Sequence, residues 1–405
     1  MSRMNFLNKL LDGVAVEWRA LEEVAEYVRG LVYNKSSEST DGEGYKVLRA
    51  NNITLAGNSL NINDLKVVNF DTKVKKSQKL YKNDILISAA SGSREHVGKV
   101  AFIHEDIDFY FGGFMGVVRC GVKINPRFLF HIFTSDIFKK YLDEMLNSST
   151  INNLSSKVMG TFEIPIPCPD NPKKSLEIQA EIVRILDTFT ELTNELTNEL
   201  TARKKQYNHY RDQLLSSEDK DVEWKTLGSL VDINTGSKPP EILESATSFD
   251  YINAGTSRSG YSAASNCSGD TVTTPSRGQG GIGYVGYQNK PFWLGPLCYK
   301  LRSTDLTVLI NKYLFYFLQS RSEMLLGLKK EGGVPAVNKS DLVQLEIPVP
   351  SVEKQKRIVA ILDKFDALTN SITEGLPREI ELRQKQYAYY RDLLLNFSKP
   401  EGVEV

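Results

Sequence analysis

An internal repeat dominates this sequence. Residues 164–215 contain IPIP, then EIQAEIVRILDTFTELTN, then RKKQYNHYRDQLL. Residues 347–395 contain IPVP, then EKQKRIVAILDKFDALTN, then RQKQYAYYRDLLL. A second matching pair, VEWRALEEVAEYVRG at 16–30 and VEWKTLGSLVDINTG at 222–236, opens the blocks between them. Each copy therefore reads VEW, a long variable block, I-P-x-P, and a helix ending in YRDxLL. One structural plan is used twice. Residues 6–18, FLNKLLDGVAVEW, look like the tail of a helix leading into a new VEW, as at 210–224. The C-terminal RDLLLNFSKPEGVEV stops where the next tryptophan would stand. A repeat that begins partway through a unit and ends partway through another predicts neighbouring termini and two halves about an approximate twofold axis. A simple tandem array of two copies would be too short to bury its faces well.

The repeated segments carry helical periodicity. Ile178, Ile182, Ile185, Phe189, Leu192 and Leu196 step 4-3-4-3-4, a heptad rhythm. Leu200 breaks it with an extra step of four, after which Tyr207, Tyr210 and Leu214 resume. In the second segment Ile358, Ile361, Phe365, Leu368 and Ile372 step 3-4-3-4, and Ile380, Tyr387, Tyr390 and Leu394 continue the face. Ser175 and Ser351 are expected N-caps. Gly375 and Pro377 should break or bend the second helix, whereas the first should run through for roughly 55–60 Å. Two such helices make a spacer most simply by packing antiparallel; the alternative is two core helices of one large domain. Phe189 and Phe365 are expected to present faces that need cover beyond a two-helix contact.

Between the helices, the variable blocks show short β-branched runs (YKVLRANNI, DILIS and GKVAFI; FDYINA, GYVGY and FWLGPLCYKL) and one short apolar helix each, RFLFHIFTS and YLFYFLQS. The expected class is α+β: two mixed α/β domains separated by two long antiparallel coiled-coil helices. The boundaries read 1–12 (N-terminal helix completing the repeat), 13–167 (first domain), 168–217 (first spacer helix), 218–350 (second domain) and 351–405 (second spacer helix and tail).

Charge is local. Lys+Arg and Asp+Glu are both 50, so the whole chain has no pull toward a polyanion. Residues 66–99 nevertheless hold eight cations against three anions, and 251–300 hold four against one. Around these stretches stand side chains suited to phosphates and base edges. In the first block they are Asn51, Asn52, Lys73, Lys75, Lys76, Ser91, Ser93, Arg94, His96 and Lys99. In the second they are Ser257, Arg258, Arg277, Gln279, Tyr284, Gln288, Asn289 and Lys290. A solvated loop face is the alternative for any charge run.

Chemistry is harder to find. GQGGIG at 278–283 fits GxGxxG by letter, but a strand-like YVGYQNKPFW follows where a dinucleotide site needs a helix. Asn125-Pro126-Arg127-Phe128 is like the Asn-Pro-Pro-Phe/Tyr motif of amino-methyltransferases without its second proline, and reads better as a helix start with Pro126 near N1. Pro169-Asp170 with Glu177 lacks the lysine of a nuclease motif. Four histidines form no HExxH, and no GxSxG is present. The four cysteines are scattered, as expected of free thiols in a reducing compartment. The N-terminus lacks a signal-peptide apolar region and no apolar run spans a bilayer, so a soluble intracellular protein is expected.

Twin variable blocks, I-P-x-P exits, ILDxF…LTN helices and YYRDxLL ends together resemble the specificity subunits of type I restriction–modification systems. The likeness spans nearly the whole chain and is strongest to the type IC subgroup, including its tetrapeptide repeat, here Thr193-Asn194-Glu195-Leu196 and Thr197-Asn198-Glu199-Leu200. The resemblance implies two target-recognition domains, each reading half of a split, asymmetric sequence in double-stranded DNA. It implies helices that set the gap and dock two methyltransferase subunits, to which motor-nuclease restriction subunits attach. Phe189, Leu192, Leu196, Leu200, Tyr207, Tyr210, Phe365, Leu368, Tyr387 and Tyr390 are the expected spacer and docking residues. S-adenosylmethionine, ATP and Mg are expected on those partners, with no metal, cofactor or catalysis in this chain. A fused methyltransferase or nuclease with degenerate motifs, and a coiled-coil adaptor without DNA contact, remain the other readings.

Overall fold

The computed structural model describes residues 7, 10–11, 13–54, 57–147, 153–216, 222–245, 249–330, 332–371 and 373–399. It divides into two compact units, Met1–Glu195 with Glu381–Val405, and Leu196–Ile380. The cut falls inside both long helices. Each unit therefore holds the start of one long helical segment and the end of the other. The first turns of each helix also send apolar side chains into the core of a unit, Ile178, Ile182 and Leu186 in the first and Ile358 and Leu362 in the second.

In the first unit, β2 (Ala25–Arg29), β8 (Met115–Cys120), β5 (Ile85–Ser88) and β6 (Val100–Phe102) make an antiparallel sheet in that order. A second sheet orders β4 (Lys66–Val68), β3 (Tyr45–Leu48) and β7 (Phe109–Phe111), with β3 parallel to β7. The VEW strand β1 (Val16–Ala20) pairs with the IPIP strand β9 (Glu163–Pro167), Trp18 opposite Pro165. Prolines are tolerated there because the ribbon has only two strands and each is an edge. β5 is buried along its whole length, which explains its unbroken apolar run.

The second unit repeats this plan strand for strand. β11 (Val231–Thr235), β17 (Cys298–Ser303), β14 (Thr271–Pro275) and β15 (Gly286–Gln288) form the larger sheet. β13 (Tyr261–Ser262), β12 (Phe249–Ile252) and β16 (Trp293–Leu294) form the smaller, β12 again parallel to β16. β10 (Glu223–Thr226) pairs with β18 (Glu346–Val349), Trp224 opposite Pro348. The two recognition domains are thus one fold with different loops.

Helix α1 (Pro126–Phe133) is capped by Asn125, whose side chain accepts from the Arg127 and Phe128 amides, with Pro126 at N1. It packs beside α2 (Asp136–Asn147). Helix α3 spans Pro172–Leu214, 43 residues, or about 64 Å. Its cap is Asn171, which accepts from the Lys174 amide at 3.1 Å, so Ser175 is not the N-cap. Ser175 lies buried one turn inside, accepting from Gln179 Nε2. Pro172 explains the earlier start, since proline without an amide hydrogen suits the first helical position. Ile178, Ile182 and Leu186 form the buried face, and Ile185 is only half-buried. They pack into the domain core with Phe128, Leu129 and Ile132 of α1, a globular-core face rather than a heptad seam.

In the second unit, α4 (Asn311–Ser320) corresponds to α1, and α5 (Val352–Asn370) is capped by Ser351, which accepts from the Lys354 amide. The chain breaks before α6 (Gly375–Leu394), where Gly375 takes φ +76°. A Cβ there would approach the Ala367 carbonyl to 2.4 Å, so glycine is required. Pro377 sits in the first turn of α6, where its missing amide costs nothing.

Phe189 stacks on Tyr390, ring centroids 5.1 Å apart, in the first unit, and Tyr210 stacks on Phe365 at 5.9 Å in the second. Rising numbers on α3 meet falling numbers on α5–α6, the order of an antiparallel pair. Contrary to expectation, Phe189 and Phe365 are half-buried and already covered; exposure falls on the tyrosines laid over them. Of residues 1–12, only Leu7, Leu10 and Leu11 are described, all helical, and 400–405 lie outside the described residues. Leu7, Leu394, Leu395 and Phe397 enter the core of the first unit, and Trp18 Nε1 donates to the Ser398 carbonyl at 3.3 Å. The described residues nearest the two termini thus join the core of the same unit. Among the described residues no helix is long and apolar enough to cross a membrane.

Candidate nucleic-acid interface

Each recognition domain hangs on its helix by two equivalent hooks. Gln179 Oε1 accepts from the Asn125 amide at 2.7 Å, and Gln355 Oε1 accepts from the Ile310 amide at 2.9 Å. Just over two turns further on, Asp187 receives Arg127 and lies 2.9 Å from His131 Nε2. Its counterpart Asp363 accepts from Tyr316 Oη at 2.5 Å and pairs with Lys312 at 3.5 Å. Burial alone would raise the Asp187 carboxyl, but hydrogen bonds from His131 and Arg127 outweigh it and hold it at about 2. The Asn125 anchor follows β8, at the end of the sheet away from the loop after β5.

Most of the expected contact residues stand on the loops after β3 and β5, and on their counterparts after β12 and β14. In the first domain the two loops are tied together by Lys99, whose Nζ donates to the carbonyls of Ala50 and Ile53 at 2.8 Å each. Burial depresses the Lys99 ammonium. Asn52 is equally occupied: it is 1% exposed, accepts from the Arg49 amide, and donates to the carbonyls of Asn61 and Asp64. Lys99 and Asn52 therefore build the loops, whereas Asn51, Ser93 and Arg94 are exposed on them and Ser91 and His96 are half-buried. Asn51 donates to Asp64 at 3.1 Å, and Arg94 pairs with Asp143 of α2 at 2.9 Å. Ser91 Oγ accepts from the Ser93 amide, Ser93 Oγ donates to Glu95, and His96 Nδ1 is buried without a partner.

Lys73, Lys75 and Lys76 do not join that group. Their loop precedes β5, and Arg119 holds it by donating to the Ser77 carbonyl, so it lies at the opposite end of the strand from Ser91. The three lysines are exposed and make no ion pair among the described residues. The basic run is also less basic in space than in sequence: Lys66 pairs with Glu38 and Lys79 with Asp108.

In the second domain Ser257, Arg258, Tyr284 and Gln288 line one cleft of about 400 Å³. Asp250, Asn253, Thr256 and Thr273, which the sequence reading passed over, line it too. Three of them lie in or beside the same YINAGTSRS segment as Arg258. Gln288 donates to Thr273 Oγ1 at 3.2 Å. Arg277 and Gln279 are exposed on the adjoining loop, and Arg277 bridges to Ala336. Asn289 and Lys290 follow β15, beside the start of β14, and belong to the other end. The glycine-rich run is a tight loop: Gly278, Gly280 and Gly283 take φ of +123°, +84° and +91°, and no helix follows.

The described residues gather no group of three or more His, Cys, Asp or Glu that could hold a metal. Burial raises the thiols of Cys120 and Cys298 to about 12, the chemistry of inert core cysteines.

The family described as type I restriction modification DNA specificity domain matches residues 14–203 and 219–382. Among characterised relatives, the type I restriction enzyme EcoR124I/EcoR124II specificity subunit of Escherichia coli is 36% identical over an alignment of 433 residues that covers 100% of both chains. The EcoprrI specificity subunit of the same organism is 33% identical over 395, covering 92% of this chain and 93% of the other. The solved S subunit from M. genitalium superposes with a TM-score of 0.61 at 18% identity, covering 96% and 98%, and shares the fold. Two matched segments that fall on the two repeats, and relatives aligned from end to end, place this chain in the family of type I restriction–modification DNA specificity subunits.

Proposed function

We propose that this chain is the DNA-reading, non-catalytic subunit of a type I restriction–modification assembly, each unit reading one half of a split, asymmetric target. The observation that carries this reading is one fold built twice, with equivalent anchors to the spacer helices and different side chains on equivalent loops. Asn51, Ser91, Ser93, Arg94 and His96 read for the first domain; Ser257, Arg258, Arg277, Gln279, Tyr284 and Gln288 read for the second. Lys73, Lys75, Lys76, Asn289 and Lys290, at the other end of the sheets, serve phosphates flanking the half-sites. The helices set the gap and dock two methyltransferase subunits through exposed tyrosines, Tyr389 and Tyr390 in the first unit and Tyr210 in the second, each more than a third exposed. Motor-nuclease subunits attach through those. S-adenosylmethionine, ATP and Mg belong to the partners, and the assembly acts in the cytoplasm as an adenine methyltransferase and ATP-dependent endonuclease.

Reconstitution tests this. The chain with its methyltransferase subunits should methylate adenine within a bipartite sequence, and the chain alone should neither methylate nor cut. Methyl transfer by a homogeneous preparation of the chain alone contradicts the non-catalytic assignment. Duplex binding that is absent, or indifferent to salt, in the assembled complex contradicts the DNA reading.

A further inference from the structure

We propose that Arg258 is a guanine reader, the residue through which the second recognition domain demands a G·C pair at one position of its half-site. The proposal rests on the reading of that domain as a DNA reader and assigns chemistry within it. Arg258 lies in the loop after β12, in the wall of the cleft, with its side chain just over half exposed. Two contacts hold it. Nη1 lies 3.4 Å from Asp250 Oδ1, and the guanidinium stands 4.6 Å above the ring of Tyr261. One edge and one face are thus engaged inside the domain, while the remaining donors stay available toward the cleft.

This environment selects a base edge over a phosphate. A phosphate is bound by net positive charge, and Asp250 cancels most of it; a second anion would also be repelled by that carboxylate. What the pairing leaves intact is direction. An arginine carries about 2 kcal/mol of rotamer entropy when free, and ring and carboxylate fix it before any ligand arrives. A pre-oriented guanidinium with a pair of parallel N–H donors matches the O6 and N7 acceptors of guanine in the major groove. By contrast, Lys290 is exposed without an ion pair among the described residues, the arrangement of a phosphate contact. The first domain builds a related device in the equivalent loop. There Arg49 and Asn51 both donate to Asp64, at 3.0 and 3.1 Å.

The test uses the assembled complex with its methyltransferase subunits and maps methylated adenines genome-wide for the native chain, Arg258→Ala, Arg258→Lys and Asp250→Asn. Arg258→Ala should lose discrimination at a single G·C position of one half-site by roughly ten- to a hundred-fold, with the other half-site unchanged. Arg258→Lys should relax the same position, because a lone ammonium cannot make the bidentate pair. Asp250→Asn should relax it partially and strengthen binding to unrelated DNA. An Arg258→Lys target identical to the native one, with Arg258→Ala weakened evenly at every sequence, overturns the proposal in favour of a phosphate contact. Unchanged targets in both variants overturn it as well. Failure of the native complex to methylate any bipartite sequence would instead overturn the underlying reading.

Discussion

His131 Nε2 lies 2.9 Å from Asp187 Oδ1, joining α1 to the spacer helix α3. With Asp187 ionised, Nε2 carries the proton, and Nδ1 accepts from Tyr387 Oη at 2.9 Å. One fully buried ring thereby touches the recognition domain, its own helix and the end of the other helix. The second unit solves the same problem with Tyr316 and Asp363, without an imidazole.

That difference gives the first unit a pH dependence. Burial pulls the His131 imidazole below its ordinary value of 6.5, with Arg127 and Arg391 adding to the effect against the pull of Asp187. The unfolded chain takes the proton first, so stability present above pH 6.5 is lost as the pH falls below it. Copying the second unit with His131→Tyr should flatten that loss. Amide exchange of α1 at pH 7.5, 6.0 and 5.0 measures it, and an unchanged slope in His131→Tyr would exclude His131 as its source.

Asp187 contributes with the opposite charge. Its carboxyl, held at about 2, keeps its contribution above the ordinary 3.8 and loses it as the pH falls through 2. At neutral pH, Asp187→Asn leaves Arg127 without its carboxylate, at a cost on the order of 2–4 kcal/mol after allowing for partial exposure. Urea unfolding checks it; a change under 0.5 kcal/mol, about the size of a surface pair, would reduce the hook to a surface contact.

The C-terminal segment should matter to one half-site only. Phe397 is 5% exposed and meets Phe128 edge-on at 6.2 Å, while Lys399 reaches Glu163 and the Trp18 ring. Phe397→Ala opens a core cavity worth about 3–5 kcal/mol. In the assembled complex, discrimination in the first half-site should weaken while the second holds. Equal weakening of both would contradict the assignment of the tail to the first unit.

The paired Thr-Asn-Glu-Leu segments at 193–200 act as a ruler in this account. Four added helical residues advance α3 by about 6 Å and turn it by about 400°, a net of roughly 40°. One base pair turns about 35° and rises 3.4 Å. A third copy inserted after Leu200 should lengthen the gap by one base pair, with both half-sites kept. An active complex with an unchanged gap would show that the helices do not measure it.

The duplicated plan was legible because two copies of one text differ most where the loops lie. Helix periodicity located α3 and the α5–α6 break, but it named Ile185 rather than Leu186, since a heptad template was laid over a face that packs on a domain core. The hooks were missed although their signal was present: Gln179 and Asp187 recur as Gln355 and Asp363 at one spacing, and polar residues held in register within apolar helices ask for a partner. Linear charge groups residues that the fold separates or occupies. Lys99 and Asn52 look like ligand contacts in a string of letters, and only the third dimension shows their donors turned onto neighbouring carbonyls. Lys73 and Ser91 are close in sequence, yet a strand between them carries them to opposite ends of a sheet.

The central claim is that each unit reads its own half of the target. The direct measurement exchanges residues 16–167 for the matching block of a relative and maps methylated adenines in cells carrying the hybrid with its partner subunits. The exchange should keep the residues that meet Gln179 and Asp187, namely Asn125, Arg127 and His131. The account predicts a new sequence in one half-site, with the other half-site and the gap unchanged. Loss or change of both half-sites in a soluble, assembled hybrid would contradict it.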